Sequence, residues 1–320
     1  MRNIAVIGIG PVGSILSAHL LRAGHDVILV DILKDRLSTV QKDGLKVKDP
    51  RRQINGDFVV YPVKILFSAK DLPPRLDYVF ICTKTYSLNQ VAGELRALSS
   101  PPKKLVVFQN GLDNEDRLAE LFGPENIFRN VTNYAGMMIS ETEAEVTFFS
   151  RPNYIGALDK RNTSPGRELA DLLTAAGIET VYTEDIKRPE WEKAILNAGL
   201  APISAATGLT MREVMEFPLL REMVENLLRE SIRVAQGAGI PLADNFLDHC
   251  LSYLEKGGYH KPSMLVDIER GESTEIEFMN GRIAEYGNKL GLPVSYNRMI
   301  TAVVKGLEKS RKKKAKGDVP

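Results

Sequence analysis

The residues with the clearest chemical purpose come first in the chain. Gly8, Gly10 and Gly13 are spaced G-x-G-x-x-G directly behind the apolar run Ile4-Ala5-Val6-Ile7. Apolar residues at helical spacing follow from Ile15 to Leu21, and a second apolar run, Val27 to Val30, is closed by Asp31. Glycine permits a tight turn at the first position, close approach of a bulky anion at the second and tight helix packing at the third. The N–H groups of a helix N-terminus have no intrahelical partner, so Gly8-Ile9-Gly10-Pro11-Val12-Gly13 suits a pyrophosphate. An acid about 20 residues further on suits the ribose hydroxyls of a dinucleotide. The cofactor-binding set is therefore Gly8, Gly10, Pro11, Val12, Gly13 and Asp31. Asp31 accepts both ribose hydroxyls of NAD and repels the extra phosphate of NADP; its other use is to cap the next helix. Lys34 and Arg36, expected on the loop that follows, would soften that preference.

Two further polar groups sit where strands end. Tyr78 to Cys82 reads as an inner strand followed at once by Thr83-Lys84, and Leu105 to Phe108 as another followed by Gln109-Asn110-Gly111. The carboxyl edge of an open parallel sheet is where such folds bind ligands, which marks Lys84 and Asn110. Asn110 either reaches the nicotinamide or the substrate, or simply belongs to an Asn-Gly turn.

These groups need strands and helices to hold them. Leu45 to Phe67 is mixed and reads as small surface strands and loops. From Ile127 to Ala157, short apolar runs alternate with polar turns without a long helix, which predicts antiparallel strands extending the parallel sheet. A helix over Gly166 to Ala176 and a strand near Glu179 to Tyr182 close this part, giving a first domain over residues 1–185.

Helical patterns then take over, over residues 186–308. Pro189 and the acids Glu190 and Glu192 mark a helix start, and Pro202 is expected to bend or end that helix. Lys193 and Asn197, four apart, share one face of it. Thr210 and Glu213 form a capping-box pattern ahead of a long amphipathic helix carrying Leu219 to Ile232. Further helices are expected over Pro241 to Leu254, Ser263 to Glu269, Glu275 to Leu290 and Asn297 to Leu307. The lysine-rich tail, 309–320, reads as a solvated, disordered end.

Composition removes whole classes of function. The net charge of +1 offers no field to attract nucleic acid or an anionic membrane, and no apolar run approaches the ~20 residues of a membrane span. With the first strand so near its start no signal peptide is expected, and Cys82 and Cys250 lie too far apart to suggest a disulfide framework or a metal site. A cytoplasmic protein acting on small molecules is the expectation.

Three blocks of the second half bear on activity: Trp191-Glu192-Lys193-x-x-x-Asn197, Lys261-Pro262-Ser263-Met264-Leu265-x-Asp267 and Thr274-Glu275-Ile276-Glu277-Phe278-Met279-Asn280-Gly281. Together with the glycine fingerprint and Gln109-Asn110-Gly111, they resemble the signature blocks of ketopantoate reductases over nearly the whole chain. The resemblance implies an α/β protein: an N-terminal Rossmann domain with an extended sheet, an all-helical C-terminal domain and an active site in the cleft between them. It implies NADPH- or NADH-dependent reduction of 2-dehydropantoate to pantoate, on the way to pantothenate and coenzyme A. By the same resemblance Lys193 and Glu275 are catalytic. Asn110, Asn197 and Ser263 hydrogen-bond the substrate, although Ser263 also suits a helix cap. Lys84, Asn110 and Glu275 line the cofactor. A homodimer fits the apolar helical domain.

Two positions depart from the family pattern. Ala201 stands where another asparagine is frequent one turn after Asn197, and His260 stands three residues before Ser263 where a further asparagine is frequent. Each removes polar contacts to substrate, so a related dehydrogenase acting on another 2-oxo acid is a second reading. A non-catalytic nucleotide sensor is a third, against which the retained Lys193 and Glu275 count. Asp31 also departs, since many members carry a basic residue there for NADPH.

Overall fold

A computed structural model describes residues 1–54, 56–62 and 64–315. By its internal contacts the chain divides into two compact units. The first holds Met1–Gln109 and Asp113–Ile186; the second holds Asn110–Leu112 and the chain from Lys187 onward.

The first unit begins β1 (Asn3–Ile7), α1 (Pro11–Arg22), β2 (Asp26–Val30), α2 (Lys34–Asp43). Three short strands follow: β3 (Leu45–Lys48), β4 (Phe58–Val60) and β5 (Lys64–Leu66). After them come β6 (Tyr78–Ile81), α3 (Leu88–Arg96), β7 (Leu105–Val107), α4 (Asn114–Phe122) and β8 (Ile127–Val131). The unit ends with β9 (Tyr134–Met138), β10 (Glu143–Phe149), β11 (Asn153–Ala157), α5 (Thr163–Ala175) and β12 (Thr180–Tyr182). Among the described residues an eight-stranded sheet runs β12-β11-β8-β7-β6-β1-β2-β5, parallel throughout except where β11 meets β8. The order reverses between β1 and β6, the switch point at which such sheets leave a crevice at their carboxyl ends. Alternate residues of each inner strand serve different cores. Ile4 and Val6 join one cluster, with α1 and α5; Ala5 and Ile7 join the other, with α3 and α4.

The strands over 127–157 only partly extend this sheet. β8 and β11 do, but β9 and β10 combine with β3 and β4 in a separate sheet, ordered β4-β3-β10-β9. The reason lies in α1, whose residues Gly13 to Leu20 are all buried. A helix buried all round needs cover on its second side, and the small sheet supplies it. Gly136 lies so near Ile15 that a Cβ there would come within 2.6 Å of the Ile15 side chain.

The second unit is helical: α6 (Lys187–Thr207), α7 (Met211–Glu216), α8 (Pro218–Gly237), α9 (Phe246–Glu255), α10 (Ser263–Glu269), α11 (Asn280–Lys289) and α12 (Ser295–Ala315). Several boundaries differ from the sequence expectation. α6 continues through Pro202 because the carbonyl that the proline leaves without an intrahelical donor, that of Ala198, accepts a 2.9 Å bond from the Asn280 amide. The Thr210 capping box opens only the short α7; Pro218, at the first position of α8, starts a new helix instead of one long one. α9 begins at Phe246, later than Pro241, and a 3-10 turn, Ile276–Phe278, precedes α11. The basic tail is helical as far as Ala315: lysine and arginine favour helix, and Lys312 reaches Ser273 Oγ at 2.8 Å. Residues 316–320 of that tail lie outside the described residues.

His19 sits fully buried in α1, with Nδ1 2.8 Å from the Ala176 carbonyl oxygen and its ring edge-on to Phe58. Nδ1 must therefore donate, and Nε2 has no hydrogen-bond partner among the described residues. Burial pulls the imidazole pKa below its ordinary 6.5, outweighing the help that the Ala176 carbonyl gives the cation. The unfolded chain then binds this proton more readily than the folded one, so stability is lost as pH falls below about 6.5. His19→Gln removes this titration, and the wild type should show the steeper acid decline in stability, by at most about 1.4 kcal/mol per pH unit. Thermal unfolding of both between pH 7.5 and 5 measures it; parallel curves would exclude His19 as a source of acid sensitivity.

Candidate active site

At the carboxyl end of β1 the backbone passes too close to its neighbours to carry side chains. Gly8 has φ +93°, donates its N–H to Val30 O at 2.8 Å, and a Cβ there would lie 2.6 Å from Thr83 N at the end of β6. A Cβ on Gly13 would overlap the Gly8 carbonyl oxygen. Gly10 differs: nothing lies within 4 Å of the position its Cβ would take. It precedes α1, which has Pro11 in its first turn and no side-chain cap. Open space over Gly10 beside an uncapped helix N-terminus fits a pyrophosphate, held by the first-turn amides around Val12 and Gly13. Tyr134 steadies that turn by donating its hydroxyl to Val12 O at 3.1 Å.

Asp31 follows β2 and is half-buried. Its Oδ2 accepts the Ile9 N–H at 2.7 Å and its Oδ1 the Leu33 N–H at 3.1 Å. It is not the cap residue of α2, a position taken by Leu33. The carboxylate therefore braces the glycine turn as well as ending the strand. Lys34 and Arg36 are not on a loop but in the first turn of α2, because the helix starts at Lys34. Lys34 lies over the Phe67 ring, 5.7 Å from its centre. Arg36 is tied to Ser14 Oγ at 3.2 Å and to the Glu141 carbonyl at 3.0 Å. Burial lowers its pKa, opposed by the charges of Asp31 and Glu141.

Lys84 leads into a 3-10 turn, Thr85–Ser87, behind β6. Gln109 secures that edge: its Nε2 donates to Thr83 Oγ1 at 2.9 Å and to the Lys84 carbonyl at 3.2 Å. Its own carbonyl accepts from Arg129 Nη1 at 2.6 Å, and Arg129 pairs with Glu115 at 3.4 Å, both buried. Sequence reasoning assigned nothing to Gln109, Arg129 or Glu115. The available signal was an arginine inside the otherwise apolar opening of β8, Ile127-Phe128-Arg129.

In the helical unit, Lys193 and Asn197 are half-buried one turn apart on α6. Trp191, two positions before Lys193 and so roughly across the helix from it, is fully buried, its ring centre 5.0 Å from that of Tyr286 in an edge-to-face contact. Glu275 is buried, and Asn110 Nδ2 lies 3.4 Å from its Oε2. The backbone makes that meeting. Leu112 N donates to Phe278 O at 3.0 Å, and Gly111, at φ +96°, comes so close that a Cβ would stand 2.8 Å from the same oxygen. The Asn-Gly pair thus bends the chain and fastens it to Phe278. One residue before Glu275, Thr274 donates its N–H and hydroxyl to Glu308 Oε1 at 2.8 and 2.6 Å. Burial pushes the Glu308 pKa up, but the Thr274 bonds and Lys305 at 3.1 Å outweigh it and bring it below the ordinary value.

Ser263 is the exposed first residue of α10; the cap position falls on Pro262, with no side-chain cap bond. A small core of Ala201, Ala205, Met264, Ile268, Ile276, Met279 and Val304 joins the elements that carry Asn197, Ser263 and Glu275. Ala201 is part of that core, while His260 is half-buried and its carbonyl accepts from Met211 N at 3.1 Å. Among the described residues no three His, Cys, Asp or Glu converge as for a metal, and no helix is long and apolar enough to cross a membrane.

Comparison with known proteins matches both units to one family. The model "Ketopantoate reductase PanE/ApbA" covers residues 4–160 and "Ketopantoate reductase PanE/ApbA C terminal" covers residues 185–308. The 2-dehydropantoate 2-reductase of Pyrococcus abyssi is 29% identical over 312 residues, covering 98% of this chain and 100% of that protein. That of Archaeoglobus fulgidus is 28% identical, covering 96% and 98%. Among solved structures, 2-dehydropantoate 2-reductase from Geobacter metallireducens superposes with a TM-score of 0.86 at 28% identity, covering 95% of this chain and 99% of that one. D-mandelate dehydrogenase with NADH and anilino(oxo)acetate gives 0.87 at 23% identity, over 97% and 99%, and shares the fold.

The clasp on Phe278 yields a test. Gly24 and Gly111 both have left-handed φ, but a Cβ on Gly24 meets nothing within 4 Å. Gly24→Ala should cost about 1 kcal/mol from backbone strain alone, and Gly111→Ala up to about 3 kcal/mol or more because it also collides with Phe278. Urea unfolding of the two variants compares them; equal losses would mean that the clasp yields freely.

Proposed function

We propose that this chain, which belongs to the ketopantoate reductase family, reduces the ketone of 2-dehydropantoate to pantoate with a nicotinamide dinucleotide, in the route to pantothenate and coenzyme A. It is an oxidoreductase, and its cofactor is a nicotinamide dinucleotide. The observation that carries the reading is buried Glu275 with the Asn110 amide at 3.4 Å, in a helical unit that also offers Lys193 and Asn197 from one helix face.

Gly8, Gly10, Pro11, Val12 and Gly13 would hold the pyrophosphate, with Asp31 at the ribose and Lys84 at the sheet edge. When bound, the cofactor supplies the hydride. The chain's own groups must then manage the alkoxide that forms on the substrate. Lys193 stabilises that negative charge through its ammonium group and donates the proton. Glu275 accepts from the substrate hydroxyl and holds the lysine, and the Asn110 amide keeps the carboxylate in place. Asn197 and Ser263 hydrogen-bond the substrate's polar groups.

A second reading, a dehydrogenase for another 2-oxo acid, is favoured by Ala201, which contributes to an apolar core where the family frequently offers an amide. A panel of 2-oxo acids assayed with purified protein separates the two: the highest kcat/KM on 2-dehydropantoate supports the first, and a bulkier or branched 2-oxo acid in that place supports the second.

Lys193→Ala should lower kcat by about 10²- to 10⁴-fold with cofactor affinity nearly intact. Turnover at the wild-type level would make Lys193 structural.

The cofactor preference follows from Asp31. We expect NADH to serve at least as well as NADPH, because a carboxylate beside the 2′ position repels a phosphate. Asp31→Ala would also remove the brace on Ile9, harming both cofactors, so Asp31→Asn is the cleaner variant: it keeps an acceptor for that N–H and loses the charge. The ratio of kcat/KM should move toward NADPH by about 1–2 kcal/mol. A wild-type preference for NADPH of tenfold or more would show that Lys34 and Arg36 dominate.

A further inference from the structure

We propose that Asn280 is a positioning residue for Lys193 and Asn197, acting through the carbonyl oxygen of Ala198. Pro202 has no N–H, so the carbonyl four residues earlier in α6 lacks its intrahelical donor. Ala198 is fully buried, where a bare carbonyl is costly. Asn280, itself fully buried, fills the gap with Nδ2 at 2.9 Å and gives its other amide hydrogen to Asn297 Oδ1 at 3.0 Å. Two oxygens face this nitrogen, which fixes the orientation of the amide.

The chain of bonds does not stop there. Asn297 Nδ2 donates to Glu230 Oε1 at 2.8 Å and to Ser231 Oγ at 3.2 Å. Glu230 also accepts the N–H groups of Tyr296 and Asn297, at 3.1 and 2.8 Å. A carboxylate is well placed at that helix N-terminus. Asn280 is therefore held from behind by α8 and α12 and cannot follow α6 if that helix slides.

Its place in the chain gives this bond its consequence. Asn280 opens α11 directly after the 3-10 turn that follows Glu275. Ala198 is the residue after Asn197, on the turn above Lys193. One amide thus joins the segment carrying Glu275 to the turn carrying the lysine and its neighbouring asparagine. The apolar contacts between these segments, Ala201 and Ala205 with Ile276 and Met279, are non-directional and set spacing but not register. The hydrogen bond sets register. The inference rests on the reading of Lys193 and Glu275 as the groups that act on substrate.

The test is a double-mutant cycle on the full chain: wild type, Asn280→Ala, Pro202→Ala and the double variant. Each is measured for thermal unfolding and for kcat and KM with 2-dehydropantoate and cofactor. Alanine at position 202 restores an N–H for Ala198. Asn280→Ala alone should lower Tm and reduce kcat by about 10²-fold, the cost of a misplaced reacting group, with KM for the cofactor unchanged. In the Pro202→Ala background the same substitution should change kcat by less than about threefold and lower Tm less. If Asn280→Ala fails to fold alone, folding of the double variant, with kcat within about threefold of Pro202→Ala, supports the proposal. Equal losses in both backgrounds, wild-type kcat in Asn280→Ala, or failure of both Asn280 variants to fold would overturn it. A wild type inactive on every 2-oxo acid would instead overturn the proposed function, and the unfolding cycle would still report on the bond.

Discussion

Gly13 packs so closely on the carbonyl oxygen of Gly8 that the smallest side chain would overlap it, and the first unit depends on that approach. It lets α1 start directly against β1 at the point where the strand order reverses. A helix placed there is buried from Gly13 to Leu20 and needs apolar cover on both sides. The main sheet covers one side and the four-stranded sheet the other. The same arrangement leaves Gly10 open with the helix N-terminus uncapped beside it, so tight packing at two glycines produces free space at the third. Asp31 and Tyr134 then hold the turn at two points, by Ile9 N–H and Val12 O.

The helical unit meets a different constraint: the Ala198 carbonyl that Pro202 frees, and the amide donors around it, must find partners inside it. Pro202 leaves Ala198 O to Asn280, Asn280 leans on Asn297, and Asn297 leans on Glu230 and Ser231. Thr274, one residue before Glu275, and Glu308 form a second closed set. Each of these bonds contributes little net stability, but leaving any one donor or acceptor bare costs about 1–3 kcal/mol. Such networks select one arrangement of helices over neighbouring ones that pack the apolar side chains equally well. The sheet edge of the first unit repeats the device with charge, where the buried Arg129–Glu115 pair secures Gln109 and, through it, Thr83 and Lys84. Removing one partner of a buried pair costs more than the pair itself contributes, because a lone charge remains.

Local signals made much of this legible in the amino-acid sequence. The glycine spacing, the apolar runs of β1, β2, β6 and β7, and the Thr210 capping box depend on residues within a few positions of one another, and each appears where its pattern placed it. The family followed from blocks whose joint spacing is specific. Boundaries were less legible wherever an interaction distant in sequence overrode local preference. Pro202 reads as a helix end, and only Asn280, far along the chain, makes it tolerable. The basic tail reads as solvated, yet its helix continues to Ala315. Lys34 and Arg36 read as loop residues but open α2.

The sequence by itself determined the α/β and all-helical halves, the dinucleotide fingerprint, the family and the identities of the candidate groups, because periodicity, turn chemistry and motif spacing are properties of neighbouring residues. Tertiary structure alone decided that β9 and β10 leave the main sheet, since any exposed strand edge can accept them and the deciding factor is the uncovered face of α1. It alone gave Asp31 its hold on Ile9 and brought the Asn110 amide to within 3.4 Å of Glu275, 165 residues away. Such meetings are fixed by the closing of backbone hydrogen bonds such as Leu112 N to Phe278 O, and no local pattern encodes which distant carbonyl a given N–H will find.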